Sequence, residues 1–452
     1  MIPYGAGINC AFVIGPQLGT TKEMGAWIAS SYPLTQGSFV LIGGTLGAVW
    51  GHKRLLAIGS AWWVFWTLAT AYGDNIVGVA FMRGLTGIGG GLMVPNAVAL
   101  LGITFPPGRR RNIAVALFGA CAPVGAAGGS IVAGAFVQET QWKWLFFFLA
   151  LCGFVFFSGA LMLVPEDEPQ LPDMSIDWLG AYLGVAGLIL FNFAWNEAPF
   201  KTWNEPYVYI ILIISILHFG CFLLWEAKFA KDPILPLAIW KAPSFGMLML
   251  SLFLVFMSIG IYIWYTTVLL YSIHNFTPVL NGVAYLPLTI LGTCAAFLAG
   301  WLTPRLAPQI IVGIGCLAAL VANVLVATSG RHQTYWAQIF PSLIVASFTV
   351  DIIFAAGQII ACNAVARQYQ GPAGSLVGTL LSYGLSTGLG FAGTVEVYVN
   401  DHGRDVLGGI RGAEYLAIGF AAAALVIDAL FVRMPKADQE GWRDETEEKE
   451  EA

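Results

Sequence analysis

The chain has 452 residues, of which 58% are apolar and only 10% charged, against roughly 25% charged in an average soluble domain. From Arg433 to Ala452, 12 of 20 residues are charged, eight of them acidic, so the body of the chain is nearly neutral. So few charges cannot cover a soluble globule of this size, and they exclude a soluble enzyme, a disordered chain and a nucleic-acid binder with a basic face.

A helix that crosses the hydrocarbon core needs roughly 20 mostly apolar residues. Division at charge and proline clusters predicts fourteen such spans, at 2–18, 25–49, 55–73, 76–103, 113–137, 143–164, 176–196, 207–227, 244–271, 280–303, 309–328, 335–361, 374–398 and 411–434. Segments this long must be helical, because the membrane offers an isolated backbone no other way to satisfy its polar groups. A membrane barrel would need short alternating strands, and Leu145 to Val164 does not alternate. The first span contains Pro3, Gly5, Gly7, Gly15 and Pro16. It reads either as a broken helix or as an incomplete chain start, the second being favoured. No basic region or small-residue cleavage site precedes it, so no cleavable signal peptide is expected.

The basic residues orient the spans. With both termini inside, 14 Lys and Arg fall on inner loops (Lys53, Arg54 and Arg109 to Arg111 among them) and 6 on outer loops, with Arg83 left inside a span. That bias fits an even span number and inner termini. The seven cysteines form no Cys-x-x-Cys pair, and the five histidines do not cluster. Buried apolar thiols are expected, and no metal or other cofactor.

The two ends of the chain repeat each other. Asn96-Ala-Val-Ala99 in span 4 recurs as Asn363-Ala-Val-Ala366 in span 12, with Gly90 and Gly357 six residues before each asparagine. Gly44-x-Leu46 and Gly300-x-Leu302 close spans 2 and 10 in the same way. The register holds only if spans 7 and 8 are inserted between two six-span halves. Parallel halves around a midplane cavity are a transporter design. The expected fold is an all-α integral membrane protein, with a six-helix half at 1–164, two extra helices in a linker at 165–243, a second half at 244–434 and a charged inner tail at 435–452.

Gly44-Thr-Leu-Gly-Ala-Val-Trp-Gly51-His-Lys53-Arg54 resembles the span 2–3 loop signature of the major facilitator superfamily. Phe81-Met-Arg83-Gly-Leu-Thr-Gly87 resembles its span 4 arginine motif, and Gly119-Ala-Cys-Ala-Pro123-Val-Gly125-Ala-Ala-Gly128-Gly129 its span 5 antiporter motif. With fourteen spans, the chain is similar to fungal drug:proton antiporters, including aminotriazole and boron efflux transporters. The loop signature departs at Ala48, where an aspartate that should latch the inner gate is usual, and the arginine motif departs at Thr86.

The resemblance implies a proton-coupled exporter of small molecules working by alternating access, not an enzyme. Its rivals are a transporter-like sensor, or an importer or uniporter of a small solute. Arg83 costs several kcal/mol in hydrocarbon unless it meets a cavity or a partner. It therefore serves either coupling or helix packing through backbone carbonyls. Asp351 maps one position from Arg83 in the repeat and suits proton exchange, and Gln358 lies on its helical face. With Asn96 and Asn363 these form the expected proton-coupling and substrate cavity. Gly44, Gly51, Lys53, Arg54, Pro123, Gly125, Gly128 and Gly129 are the expected gating residues, the span 5 glycines sealing the interface between the halves while also packing helices closely. Trp264, Tyr265 and Phe354 suggest an aromatic lining suited to an organic molecule. Asp428, Glu226 and Glu396 read as ion-paired groups near span ends, Asn192 and Asn196 as packing residues, and Trp142, Trp144 and Trp203 as interfacial anchors. The expected partners are a small-molecule substrate, protons and the lipid bilayer. No nucleic acid is expected, and the protein should be a monomer in the plasma membrane or, alternatively, the vacuolar membrane.

Overall fold

A computed structural model describes residues 1–20, 23–105, 109–302, 305–365, 370–401 and 403–433. The charged tail, Lys22, Arg367 and the side chain of Asn363 lie outside the described residues. The secondary structure of the described residues is helical. The first half holds α1 (Ile2–Gln17), α2 (Ala26–Trp50), α3 (His52–Thr70), α4 (Ile76–Thr104), α5 (Arg109–Glu139) and α6 (Lys143–Leu163). A hairpin follows, α7 (Trp178–Lys201) and α8 (Pro206–Lys228). The remainder is α9 (Phe245–Ser272), α10 (Pro278–Ala284), α11 (Leu286–Leu302), α12 (Pro308–Ala327), α13 (Ile339–Asn363), α14 (Gln370–Val399) and α15 (Val406–Phe431). Ten spans among the described residues are long and apolar enough to cross a membrane by length and composition.

These helices occupy the fourteen predicted segments with shifts of a few residues at their ends. The tenth segment differs, because it is two helices, α10 and α11, meeting at Tyr285. Pro287 causes the break: it has no N–H to donate, and its ring clashes with the carbonyl four residues earlier. The first segment is unbroken. Pro3 sits in the first turn, where a missing N–H costs little, and Pro16 in the last.

Packing repeats along the chain. Helix α2 packs on α4, α3 on α4 and α6, and α1 on α5. The same set recurs after the hairpin, with α11 on α13, α12 on α13 and α15, and α9 on α14. Two seams join the bundles, α2 against α14 and α5 against α10 and α11. Small residues make the first seam possible. A Cβ at Gly37 would lie 2.6 Å from the Tyr383 nitrogen, and one at Gly44 2.6 Å from Ser375 Oγ.

Helix α7 covers the α2–α14 seam and pairs with α8. Its hold is polar. Asn192 Nδ2 donates to Thr387 Oγ1 at 2.8 Å, and Ser386 Oγ donates to Asn192 Oδ1 at 3.0 Å. Asn196 donates to Asn192 Oδ1 at 2.7 Å, and the Tyr383 hydroxyl donates to the Leu188 carbonyl at 2.8 Å. Both asparagines thus pack helices, as their sequence context suggests. Asn192→Ala is expected to lower stability by roughly 1–2 kcal/mol, the scale of interhelical hydrogen bonds in membranes. Thermal unfolding in detergent checks this, and an unchanged midpoint would show that the bonds contribute nothing.

Candidate functional site

The ends of the bundle are named from the charge bias, with the α2–α3 turn inner and the α9–α10 turn outer. At the outer side the bundles are pinned through Asn9 of α1, which is fully buried. Its Nδ2 donates to the Ser130 carbonyl of α5 at 2.6 Å and to the Pro278 carbonyl of α10 at 2.9 Å. Its Oδ1 accepts from the Tyr271 hydroxyl of α9 at 2.6 Å and from Asn281 Nδ2 of α10 at 3.0 Å. One side chain therefore fills its amide capacity across both halves. Phe12 lies one turn on and stacks between Trp264 and Tyr271, each 4.9 Å away. Glycines allow this closeness, since a Cβ at Gly134 would collide with the Pro278 carbonyl, and one at Gly282 would lie 2.8 Å from the Ile131 Cα.

Asp351 sits further inward, where α13, α11 and α5 meet. A Cβ at Gly292 of α11 would collide with Asp351 Oδ2 and lie 3.4 Å from Pro123 of α5. The residue is 7% exposed. Among the described residues it makes no ion pair: the salt bridges there are Lys53–Glu166, Lys143–Asp74 and Arg404–Asp401. Towards the inner ends of the same helices, Gly119 of α5 and Gly300 of α11 have open space where a Cβ would sit. Asp351 thus lies beside the close α5–α11 contact at Gly292 and Pro123.

Arg83 is elsewhere. It is buried inside the first bundle, with Nε donating to the Ile28 carbonyl at 2.7 Å and Nη2 to the Pro3 carbonyl at 2.8 Å. Its guanidinium lies 6.0 Å from the Tyr32 ring centre and 5.9 Å from that of Phe146. A cavity of about 10 Å³, lined by Arg83, Pro3, Trp63, Thr67, Thr86 and Phe146 among others, is on the scale of one water. The arginine thus joins α1, α2 and α4 through carbonyls, as the packing alternative requires, and does not meet Asp351.

The other predicted residues divide between the seams and local packing. Asn96 Nδ2 donates to the Gly43 carbonyl at 2.8 Å, and its Oδ1 lies 2.7 Å from His52 Nδ1. Gly47 leaves room for that pair, since a Cβ there would collide with Asn96 Oδ1. Asn96 therefore ties α2, α3 and α4 within one bundle. Gln358 lies against Gly374 of α14, whereas Asp351 faces α11. Seven residues carry α13 about 10 Å along its axis, so one face meets two different neighbours. Gly44 and Pro123 are at the seams. Gly125 and Gly129 instead pack on Met1 and Ile2 of α1, and Gly128 has nothing within 4 Å. The α5 contacts that join the halves come from Pro123, Ser130, Ile131 and Gly134.

Two carboxyls expected as ion-paired groups near span ends, Asp428 and Glu226, are buried and make no ion pair among the described residues. Asp428 is 2% exposed, packs on Gly313 of α12, and has no hydrogen-bond partner for Oδ1. It is not ion-paired with Arg433, because α12 and α15 enclose it. Glu226 is buried, and Oε1 accepts from the Ile234 nitrogen at 3.3 Å. Glu396 accepts from the Tyr265 hydroxyl at 2.8 Å. Trp142 is also buried, edge-on to Phe146, while Trp144 is exposed.

At the inner side, Gly51 turns the chain with φ of +95°, a conformation that favours glycine. Helix α3 begins there, and Asp167 of the α6–α7 linker caps it. Its Oδ2 accepts from the His52 nitrogen at 2.6 Å and its Oδ1 from the Lys53 nitrogen at 2.9 Å. Glu166 pairs with Lys53 Nζ at 2.6 Å, and the Leu171 nitrogen donates to the Ala48 carbonyl at 3.0 Å. Arg54 is exposed. The same linker reaches the α8–α9 connection, where Ser175 donates twice to Asp232 and holds that carboxyl below its usual range.

This arrangement of two similar bundles about two seams decides the family together with the sequence, which matches the Major Facilitator Superfamily over residues 4–390. The chain belongs to that superfamily. It is a membrane transport protein and not an enzyme, and its relatives include fungal drug-efflux members of the superfamily. The aminotriazole resistance protein of Saccharomyces cerevisiae is 35% identical over 93% of this chain and 79% of its own length. The low affinity ammonium transporter of the same yeast is 35% identical over 93% and 83%. Efflux pump terJ of Aspergillus terreus is 33% identical over 94% and 85%. A POT family transporter, solved with a thioalcohol-conjugated peptide, shares the fold with a TM-score of 0.66 at 14% identity, over 94% of this chain and 93% of its own.

Two outcomes test the gates. Asn9→Ala should weaken the outer closure by about 1–2 kcal/mol, shifting a two-state ratio by a factor of roughly 5–30. Labelling of an Ile131→Cys probe, read in a background without other reactive cysteines, should rise by that order; unchanged labelling would leave Asn9 as an ordinary packing group. Asp167→Ala should free the linker and speed proteolytic cutting between residues 164 and 177 in the folded transporter. Equal cutting rates would show that the cap does not hold it.

Proposed function

We propose that this transporter exports small organic molecules in exchange for protons by alternating access, with Asp351 as the proton-exchanging group. The observation that carries the reading is the position of Asp351. It is buried, it has no ion-pair partner among the described residues, and it lies where α5 of one bundle meets α11 and α13 of the other. A carboxyl in such a site is costly to keep ionised away from water. Opening of the α5–α11 contact exposes it to solvent, and closing it favours a bound proton. Substrate enters the same space from the inner side, past Gly119 and Gly300. The aminotriazole resistance protein and the efflux pumps among the relatives support export. The plasma membrane is the proposed location, and the protein acts as a monomer. The ammonium transporter among the relatives supports a second reading, movement of a small cation.

The test is transport in liposomes with an imposed pH gradient. A panel holding aminotriazole, other heterocyclic toxins and ammonium distinguishes the readings. Asp351→Asn keeps volume and polarity but cannot exchange a proton. It is expected to abolish gradient-driven efflux, a loss of at least tenfold, at unchanged folded yield. Full retention removes Asp351 from the coupling, and gradient-driven uptake of ammonium alone favours the second reading.

A further inference from the structure

Glu414 of α15 is fully buried, and neither carboxyl oxygen has a hydrogen-bond partner among the described residues. A buried polar side chain that serves packing is normally bonded, as Asn9, Asn192 and Asn323 are here. Glu414 draws no such return in this conformation, and a charge there would cost several kcal/mol. A leucine or glutamine would fill the same space at lower cost. The residue makes physical sense if another conformation hydrates it or if a proton neutralises it.

The surroundings favour the proton. Helices α9, α12 and α14 pack against α15. From α9, Tyr262 and Tyr265 lie within electrostatic reach of Glu414, and so does Tyr285 at the α10–α11 junction. Helix α12 contributes no Asp, Glu, Lys, Arg, His or Tyr. Arg411, one turn earlier on α15, donates to the Ser329 carbonyl and not to Glu414. Glu396 of α14 accepts from the Tyr265 hydroxyl at 2.8 Å, and Tyr265 is within reach of both carboxyls. Glu396 is three residues from the outer end of α14 and only partly buried. The hydrogen-bonded pair of Glu396 and Tyr265 therefore stands between the outer end of the second bundle and Glu414.

We infer that Glu414 is a second proton-binding site, loaded from the outer end past Glu396 and Tyr265. The step is carboxylate plus hydronium giving carboxylic acid plus water. The inference rests on the proton-coupled reading above, but its proton can be counted without transport. Purified protein in lightly buffered detergent is taken between about pH 5 and 8 and proton uptake is read with a pH-indicator dye. Glu414→Gln should bind one proton fewer than the parent, additively with Asp351→Asn. Tyr265→Phe should slow the uptake without changing its total. Equal uptake by parent and Glu414→Gln overturns the site, a result that a purely structural role also predicts. If Glu414→Gln does not fold, infrared difference spectra of the parent and Glu414→Asp decide. A carboxylic C=O band that shifts in the aspartate variant supports the site, and an unchanged spectrum overturns it. Absence of gradient-driven transport in a parent that binds both protons would refute the exporter reading and leave Glu414 standing.

Discussion

Hydrocarbon does not hydrogen-bond, and the architecture follows from that one constraint. It makes every span a helix, and it presses buried side-chain donors to find acceptors within the bundle. Most do so through carbonyls left accessible by small neighbours. Arg83 binds two carbonyls of α1 and α2, and Asn96 binds that of Gly43. The same constraint turns buried carboxyls without an ion pair among the described residues into exceptions. Asp351, Glu414 and Asp428 all lie on α13 and α15 of the second bundle, while Arg83, the buried Lys or Arg among the described residues, is in the first. The two bundles repeat in packing and differ in charge.

The seams divide the work between them. The α2–α14 seam is close through Gly37 and Gly44 and is covered by α7, whose asparagines bond to α14. The α5 seam is close from Pro123 outward, where Asn9 and Phe12 bind both bundles. Hydrogen bonds to one asparagine and a three-ring stack can open as a unit, since they join separate helices and not one ladder. Rocking about the first seam while the second opens and closes is the motion these contacts permit.

Spans, repeat and family were legible in the sequence because hydropathy, small-residue motifs and basic-residue bias are local properties. Side-chain partners were not. Arg83 and Asp351 occupy matching depths in the repeat, yet Arg83 bonds to carbonyls inside its bundle and Asp351 meets α11 beside the seam with α5. Depth is a spacing along the helix, while direction depends on which neighbour packs there. The glycines of α5 suggested a gate, and Gly125 and Gly129 meet α1 because a small residue fits any close neighbour. Asn9 was hidden by the glycine- and proline-rich composition of the first segment. Glu414 was hidden by a boundary: a span beginning at 411 puts it at the interface, whereas α15 begins at Val406 and carries it about 12 Å inward.

Ala48 shows how a missing group can be supplied from elsewhere. The family's loop signature usually carries a carboxylate at that position, and its loss would leave the start of α3 without an acid. Here two acids arrive from the α6–α7 linker. Asp167 accepts from two nitrogens at the start of α3, Glu166 pairs with Lys53, and the backbone of Ala48 itself accepts from Leu171. The partial positive charge at a helix N-terminus favours an acid there whichever segment brings it. The origin of the acid matters because the linker leads directly into α7. That helix bonds to α14 of the second bundle, and Ser175 ties the linker to the α8–α9 connection. A carboxylate on the loop itself would act only where the loop sits. A carboxylate on the linker joins the signature loop to the inserted hairpin, so movement of α14 reaches the start of α3 through covalent chain and hydrogen bonds.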